Sequence, residues 1–108
     1  MKVCKYKLNF DFKKQRQEDH ANLPVDKSKI LGVYISHDQV KIHYLGDGAS
    51  AHQPTEKCTF FLVQDDATFV EDVTKNNHLA TFEVYGNVFH LFELKKTPNK
   101  NGERSKGF

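Results

Sequence analysis

Six histidines and two cysteines are the side chains of this 108-residue chain best suited to metal binding or nucleophilic chemistry. Four of the histidines, His37, His43, His78 and His90, lie in or beside two predicted β-hairpins and would approach one another if the hairpins packed face to face. Neutral imidazole is a common metal ligand, so such packing would create a histidine-rich metal site. The competing interpretation is that histidines isolated in strands are partly buried structural residues. We favour that interpretation and predict no metal site and no cofactor.

The motifs of several catalytic classes are absent from the sequence. It has no Gly-rich phosphate loop, and Gly46-Asp47-Gly48 places an acid where a phosphate would lie. It has no Cys-x-x-Cys pair, which excludes the usual zinc ribbons. No histidine is followed two residues later by Ser or Thr, which excludes the two-histidine phosphodiesterases. Cys58 shares a predicted strand face with Phe60 and Leu62, which favours burial over nucleophilic attack. We predict that the protein is not an enzyme.

Charge and cysteine content narrow the choice of partner and compartment. Lys and Arg number 16 and Asp and Glu 14, a net charge of +2 that is too small to indicate nucleic-acid binding. Only Arg16 and Arg104 are arginines, although Arg is favoured for reading bases and phosphates. The charged start does not have the pattern of a signal peptide, so we expect the protein in a reducing cytoplasm. No apolar run reaches the roughly 18 residues that a membrane helix needs. Cys4 and Cys58 both continue apolar patterns and are interpreted as buried free thiols.

The elements that must position these side chains are β-strands. Residues 3–12 alternate between apolar and polar residues, as in a strand with one buried face. Residues 57–64 are apolar on both faces after Thr59 and are predicted to be a central strand. Residues 30–35 form an almost continuous apolar run, predicted to be a strand buried on both faces. Hairpins are predicted around Ser36–Gln39 and around a two-residue turn at Gly86-Asn87. Residues 13–20 are highly charged and are predicted to be a connection or a solvated edge.

This pattern predicts a mainly β fold with little helix: a small antiparallel barrel or sandwich of about six or seven strands. Residues 1–95 form the single predicted domain. Residues 96–108 have no apolar periodicity before Phe108 and are predicted to be a disordered polar tail. The lysine-rich first strand either protects a sheet edge or pairs with a second subunit.

Several segments of the chain resemble a family of small uncharacterised proteins of tailed phages and prophages. The likeness lies in Lys-Tyr-Lys-Leu at residues 5–8, Leu23-Pro24, Lys-Ile-Leu-x-Val at residues 29–33, the stretch from Pro54 to Phe60, and Val-Phe-His-Leu-Phe-Glu at residues 88–93. The resemblance covers about residues 3–95. It implies a phage origin and a mainly β domain, and it implies no activity. With a phage origin, the reducing cytoplasm expected above is that of the host. The charged segment 13–20 and the region 65–78 depart from the family pattern.

The function predicted from these observations is that of a non-catalytic phage accessory protein that binds and inhibits a host protein of defence or regulation. One alternative is a sponge for an anionic nucleotide signal, which needs an oligomer because a small barrel rarely encloses a cavity of roughly 300 Å³. A second alternative is a small metal-dependent hydrolase that uses His and Asp. Partner or ligand contacts are predicted at cationic residues and their aromatic neighbours. These contacts are Arg16, Lys41, His43, Tyr44 and His52.

Overall fold

Seven antiparallel strands make up most of the protein, whose computed structural model describes residues 1–46 and 54–94. The strands are β1 (Lys2–Leu8), β2 (Arg16–Pro24), β3 (Ile30–Ser36), β4 (Gln39–Gly46), β5 (Thr55–Gln64), β6 (His78–Val84) and β7 (Asn87–Leu94). Short 3-10 turns at Lys27–Lys29 and Lys75–Asn77 lead into β3 and β6. Within the described ranges no helix has the length and apolar character needed to cross a bilayer.

The strands form two sheets that enclose one apolar core. A three-stranded sheet has the order β1-β4-β3, and a four-stranded sheet has the order β2-β5-β7-β6. Both sheets supply the buried cluster, with Leu8, Val40 and Ile42 from the first and Phe60 and Leu91 among those from the second. The prediction of a mainly β, antiparallel fold is confirmed, and of its two forms the structure is the two-sheet sandwich. The predicted tail, residues 96–108, lies outside the described residues.

Two-residue turns connect both predicted hairpins. Ser36 pairs with Gln39 across β3 and β4, and His37 in the turn has a φ of 56°. Val84 pairs with Asn87 across β6 and β7, so the second turn consists of Tyr85 and Gly86, one residue earlier than predicted. Both residues have positive φ, 53° and 81°, which is the requirement of a type I′ turn. The sequence predicts the turn at Gly86-Asn87 because both of those residues tolerate positive φ, whereas Tyr is uncommon at a left-handed position.

Of two local predictions, one is confirmed and one is wrong. The connection or solvated edge predicted at residues 13–20 is confirmed: residues 13–15 lie in the connection from β1 to β2, and the charged residues from Arg16 onward lie in β2, an edge strand that pairs along its whole length with β5. The polar side chains of Asp19 and Gln17 accept hydrogen bonds from the backbone N–H groups of Asn9 and Asp11, so they brace the β1–β2 connection. The apolar run 30–35 forms an edge strand that exposes Leu31 and Tyr34 instead of a strand buried on both faces.

β5 is the central strand that the sequence predicts. Phe60 and Leu62 face the core, while Phe61 and Val63 are buried on the opposite face of the same sheet. Phe69, from the connection after β5, packs its ring edge-on against Phe61 at a centroid distance of 5.4 Å. This connection therefore covers part of the outer face of the four-stranded sheet.

Candidate functional site

Three lysines converge on the outer face of the three-stranded sheet. Tyr6, Leu8, Val40 and Ile42 pack into the core, so the residues that alternate with them face outward. Lys5 lies opposite His43, and Lys7 lies opposite Lys41, in the register of β1 with β4. Tyr34 of β3 lies on the other side of Lys41. We call the surface formed by Lys5, Lys7, Tyr34, Lys41 and His43 the basic face.

The pairing of Lys7 with Lys41 is electrostatically unfavourable in the isolated protein. Side chains directly opposite each other have Cβ atoms about 4.5–5.5 Å apart, and like charges at such positions destabilise a sheet. Among the residues that the structure describes, none forms an ion pair with Lys5, Lys7 or Lys41. Lysines at an edge strand protect it against aggregation, which accounts for Lys5 and Lys7. That explanation does not apply to Lys41, because β4 is the central strand of its sheet.

The aromatic part of the basic face consists of Tyr34 and His43. Their ring centroids are 5.8 Å apart, and Tyr34 is 55% exposed. His43 Nε2 is buried and has no hydrogen-bond partner among the described groups. A buried polar atom left unpaired costs about 1–3 kcal/mol, so a partner that reached this nitrogen would stabilise the structure. The basic face thus combines unpaired positive charge with an exposed ring and an unsatisfied polar atom.

Charge is distributed unequally between the two sheets. The strands of the three-stranded sheet contain four lysines, Lys2, Lys5, Lys7 and Lys41, and no Asp or Glu. The strands of the four-stranded sheet contain five carboxylates and only two cationic residues, Arg16 and Lys57. The small net charge of the chain conceals this separation. Such an asymmetric charge distribution orients an approaching charged partner toward one side of the molecule.

The five contact residues predicted from the sequence do not lie together. Lys41 and His43 are on the basic face, whereas Tyr44 is on the opposite side of β4 and packs against the core. Arg16 is on the four-stranded sheet, where its Nη1 lies 3.4 Å from Glu71 Oε1 in an ion pair. His52 lies outside the described residues. Lys5, Lys7 and Tyr34 complete the basic face and are not among the contacts predicted from the sequence.

A second group of polar side chains lies on the outer face of the four-stranded sheet. Thr81 Oγ1 is 2.8 Å from His78 Nε2 and 3.0 Å from His90 Nδ1, and His90 Nε2 bonds to Asp65 Oδ1. We call Asp65, His78, Thr81 and His90 the histidine cluster. Of the four histidines that face-to-face hairpins would bring together, His78 and His90 are close to each other, whereas His43 lies on the outer face of the other sheet and His37 in the β3–β4 turn.

The histidine cluster has the carboxylate–imidazole–hydroxyl order of a nucleophilic triad. Its exposure argues against that role, since Asp65 is 54% exposed and His90 31% exposed, and electrostatic stabilisation of a transition state needs a site that excludes water. Across the described ranges, no three His, Cys, Asp or Glu side chains are grouped so that they could hold a metal ion. The cluster therefore gives little support to the hydrolase alternative.

Cys58 lines a cleft of about 320 Å³ beside Lys27, Glu56 and Glu93. Lys27 Nζ lies 3.2 Å from Glu56, 3.6 Å from Glu93 and 3.6 Å from Cys58 Sγ. Burial raises the pKa of the Cys58 thiol, and the attraction of Lys27 offsets only part of this effect. Partial burial opposes the charge on Lys27, but Glu93 and the other anionic neighbours raise its pKa overall. Both cysteines are free thiols, as predicted; Cys58 is buried, as predicted, whereas Cys4 is only partly buried.

Comparison of the chain with protein-family models, with curated proteins and with solved structures gives no match.

Proposed function

We propose that the protein acts by stoichiometric binding and that its basic face engages an acidic surface of a partner protein. The observation that carries this proposal is Lys41, which lies on a central strand, opposite Lys7, without an ion pair to any described residue. A carboxylate from a partner would remove the repulsion between these two ammonium groups. In its specific form, the proposal is that the partner is a host protein of defence or regulation and that binding inhibits this protein.

The composition of the basic face suits a protein partner. Tyr34 offers a large exposed ring, and aromatic residues are enriched among those that contribute most to protein–protein affinity. The surrounding lysines set the orientation and the rate of encounter. The cations of this face are all lysines, whereas Arg is the residue preferred for reading nucleic-acid bases.

The test is capture of bacterial lysate proteins by three forms of the chain. The wild type is compared with the basic-face variant, Lys5→Glu, Lys7→Glu and Lys41→Glu, and with a matched control. The control carries the same charge change at three exposed lysines elsewhere, Lys13→Glu, Lys57→Glu and Lys75→Glu. All three forms are first checked for a β-type circular dichroism spectrum and a cooperative thermal transition.

The wild type and the control should capture one dominant protein at a stoichiometric ratio. The basic-face variant should bind it at least about tenfold more weakly, a loss of about 1.4 kcal/mol. Capture should also weaken as the ionic strength rises from about 0.01 M to about 0.15 M, because the Debye length falls from about 30 Å to about 8 Å. Equal capture by the basic-face variant and the wild type would contradict the proposal.

A second candidate, binding of an anionic nucleotide signal, is favoured by the exposed Tyr34, which lies opposite Lys41 in the register of β3 with β4. A base can stack on an aromatic ring while a cation meets its phosphate. Heat denaturation of protein purified from cells would release such a nucleotide intact. In that case the basic-face variant would release none, and no protein would be captured from the lysate.

A further inference from the structure

A β-bulge places His78 on the same face of β6 as Thr81. Residues three apart on a regular strand point to opposite faces of the sheet. The register of β6 with β7 shifts between His78 and Ala80, so His78 pairs with Phe92 and Thr81 pairs with His90. The extra residue, Leu79, turns His78 outward. Bulges recur next to functional sites, where they re-aim a side chain in this way.

The bulge brings two imidazole nitrogens toward one point. Nε2 of His78 and Nδ1 of His90 lie 2.8 Å and 3.0 Å from the same oxygen, Thr81 Oγ1, and the ring centroids are 6.2 Å apart. Phe92 packs edge-on against His78 at a centroid distance of 5.4 Å, which restricts the rotation of that ring. The two nitrogens are therefore held in a convergent arrangement by the fold and by the hydroxyl between them.

Asp65 determines which nitrogen of His90 faces the cluster as an acceptor. The hydrogen bond from His90 Nε2 to Asp65 Oδ1 keeps the proton of the neutral ring on Nε2. The lone pair of Nδ1 is then directed at Thr81. Histidines that bind metals commonly donate their second ring N–H to a carboxylate, which fixes the tautomer and increases the basicity of the ligating nitrogen. The Asp65–His90 pair has this arrangement.

We propose that His78 and His90 form a two-histidine site for a divalent transition-metal ion such as Zn²⁺ or Ni²⁺, with Asp65 as its positioning residue. The ion would take the place of the Thr81 hydroxyl: His78 would carry its proton on Nδ1 so that Nε2 is free to ligate, and the exposed Thr81 side chain would turn to another rotamer at a cost of about 1 kcal/mol. Imidazole nitrogen suits Zn²⁺, Ni²⁺ and Cu²⁺, whereas Mg²⁺ prefers oxygen ligands. A site with two protein ligands binds its ion exchangeably at the surface, unlike the four-ligand structural sites whose metal a domain needs in order to fold. This inference does not depend on the proposed function.

The same sheet face provides a matched control. His20 also faces outward and its Nδ1 lies 3.0 Å from a threonine hydroxyl, that of Thr59. In the described part of the chain, this hydroxyl has one imidazole beside it, whereas Thr81 has two. His20→Gln therefore removes a comparable surface histidine without affecting the proposed ligands.

The experiment is isothermal titration of the full chain with ZnCl₂, and with MgCl₂ as the hard-cation control. We expect one Zn²⁺ per chain and no Mg²⁺ binding at the same concentration. His78→Gln and His90→Gln should each weaken Zn²⁺ binding at least tenfold, and Asp65→Asn by about tenfold. His20→Gln should bind as the wild type does, because it leaves the proposed ligands in place. Thr81→Ala should bind at least as tightly as the wild type, because the ion no longer has to displace the threonine hydroxyl.

A second measurement locates the ion in the unmodified protein. Paramagnetic Ni²⁺, added in substoichiometric amounts, should broaden the ring resonances of His78 and His90 in an NMR spectrum before those of His20 and His43. Failure of the wild type to bind Zn²⁺, equal loss of binding in His20→Gln and His78→Gln, or uniform broadening of all histidine rings would overturn the proposal.

Discussion

Phe60 and Phe92 provide a direct comparison of the two faces of the four-stranded sheet. On sequence pattern alone both rings are expected in the core, because both lie in the most hydrophobic strands. The structure places Phe60 between the sheets at 2% exposure, whereas Phe92 is partly exposed on the outer face beside His78. Phe→Ala removes the same atoms at either position, so the difference in stability reports the environment of the ring alone.

A phenylalanine buries about 150–250 Å² and its loss from a core costs about 3–5 kcal/mol. For Phe60→Ala we expect this full cost, and a fall in the thermal midpoint of about 12 °C or more at about 4 °C per kcal/mol. For Phe92→Ala, with part of the ring in water before the change, we expect about 1–2 kcal/mol. Urea unfolding followed by circular dichroism measures both, with an unchanged m-value as the check on two-state behaviour. Equal costs, or a larger cost for Phe92→Ala, would refute the assignment of the two faces.

Four further measurements test separate parts of the structure. In the native protein near pH 8, iodoacetamide should alkylate Cys58 more slowly than Cys4, because burial raises the pKa of Cys58. Unfolding the protein should abolish this difference in rate. A fast reaction of Cys58 in the native protein would contradict its burial. Because the pKa of Cys58 is higher in the folded protein than in the unfolded chain, the protonated thiol stabilises the fold at neutral pH. This stabilisation is lost as the pH rises through the pKa of the folded protein. Tyr85→Asn should raise the stability by about 0.5–1 kcal/mol in a thermal melt, because Asn accepts positive φ more readily than Tyr. A lower thermal midpoint would show that the hydrogen bond from the Tyr85 hydroxyl to Asp38 contributes more stability than relief of the backbone strain. Arg16→Gln should change stability by less than about 1 kcal/mol and leave partner capture intact, since the Arg16–Glu71 pair is exposed; a loss of capture would return Arg16 to the binding surface.

Hydrophobic periodicity is sufficient to predict the class of fold and its most buried strand. The double-sided apolar pattern at residues 57–64 predicts β5 as a central strand, and the polar break at Ser36–Gln39 predicts the first hairpin. Periodicity does not reveal which strands are neighbours. The charged residues of β2 become a strand because β5 offers them a complete hydrogen-bonding partner, and the apolar run of β3 remains at an edge.

The candidate site was only partly predictable for the same reason. Lys5 and Lys7 are visible in the sequence on the polar face of the first strand, and Lys41 on the polar face of another. Nothing in their spacing shows that Lys7 and Lys41 lie opposite each other, since this depends on the register of β1 with β4. The convergence of His78 and His90 depends on a one-residue bulge at Leu79, which shifts the alternation without a Gly or Pro to mark it.

The most direct test of the basic face is lysine footprinting of the complex with the captured partner. The free chain and the complex are acetylated briefly with the same reagent, and the extent of modification at each lysine is read by mass spectrometry. The account predicts that modification of Lys5, Lys7 and Lys41 falls several-fold in the complex, while Lys13, Lys57 and Lys75 are modified as in the free chain. Protection confined to the second set, with the basic face still fully reactive, would contradict it.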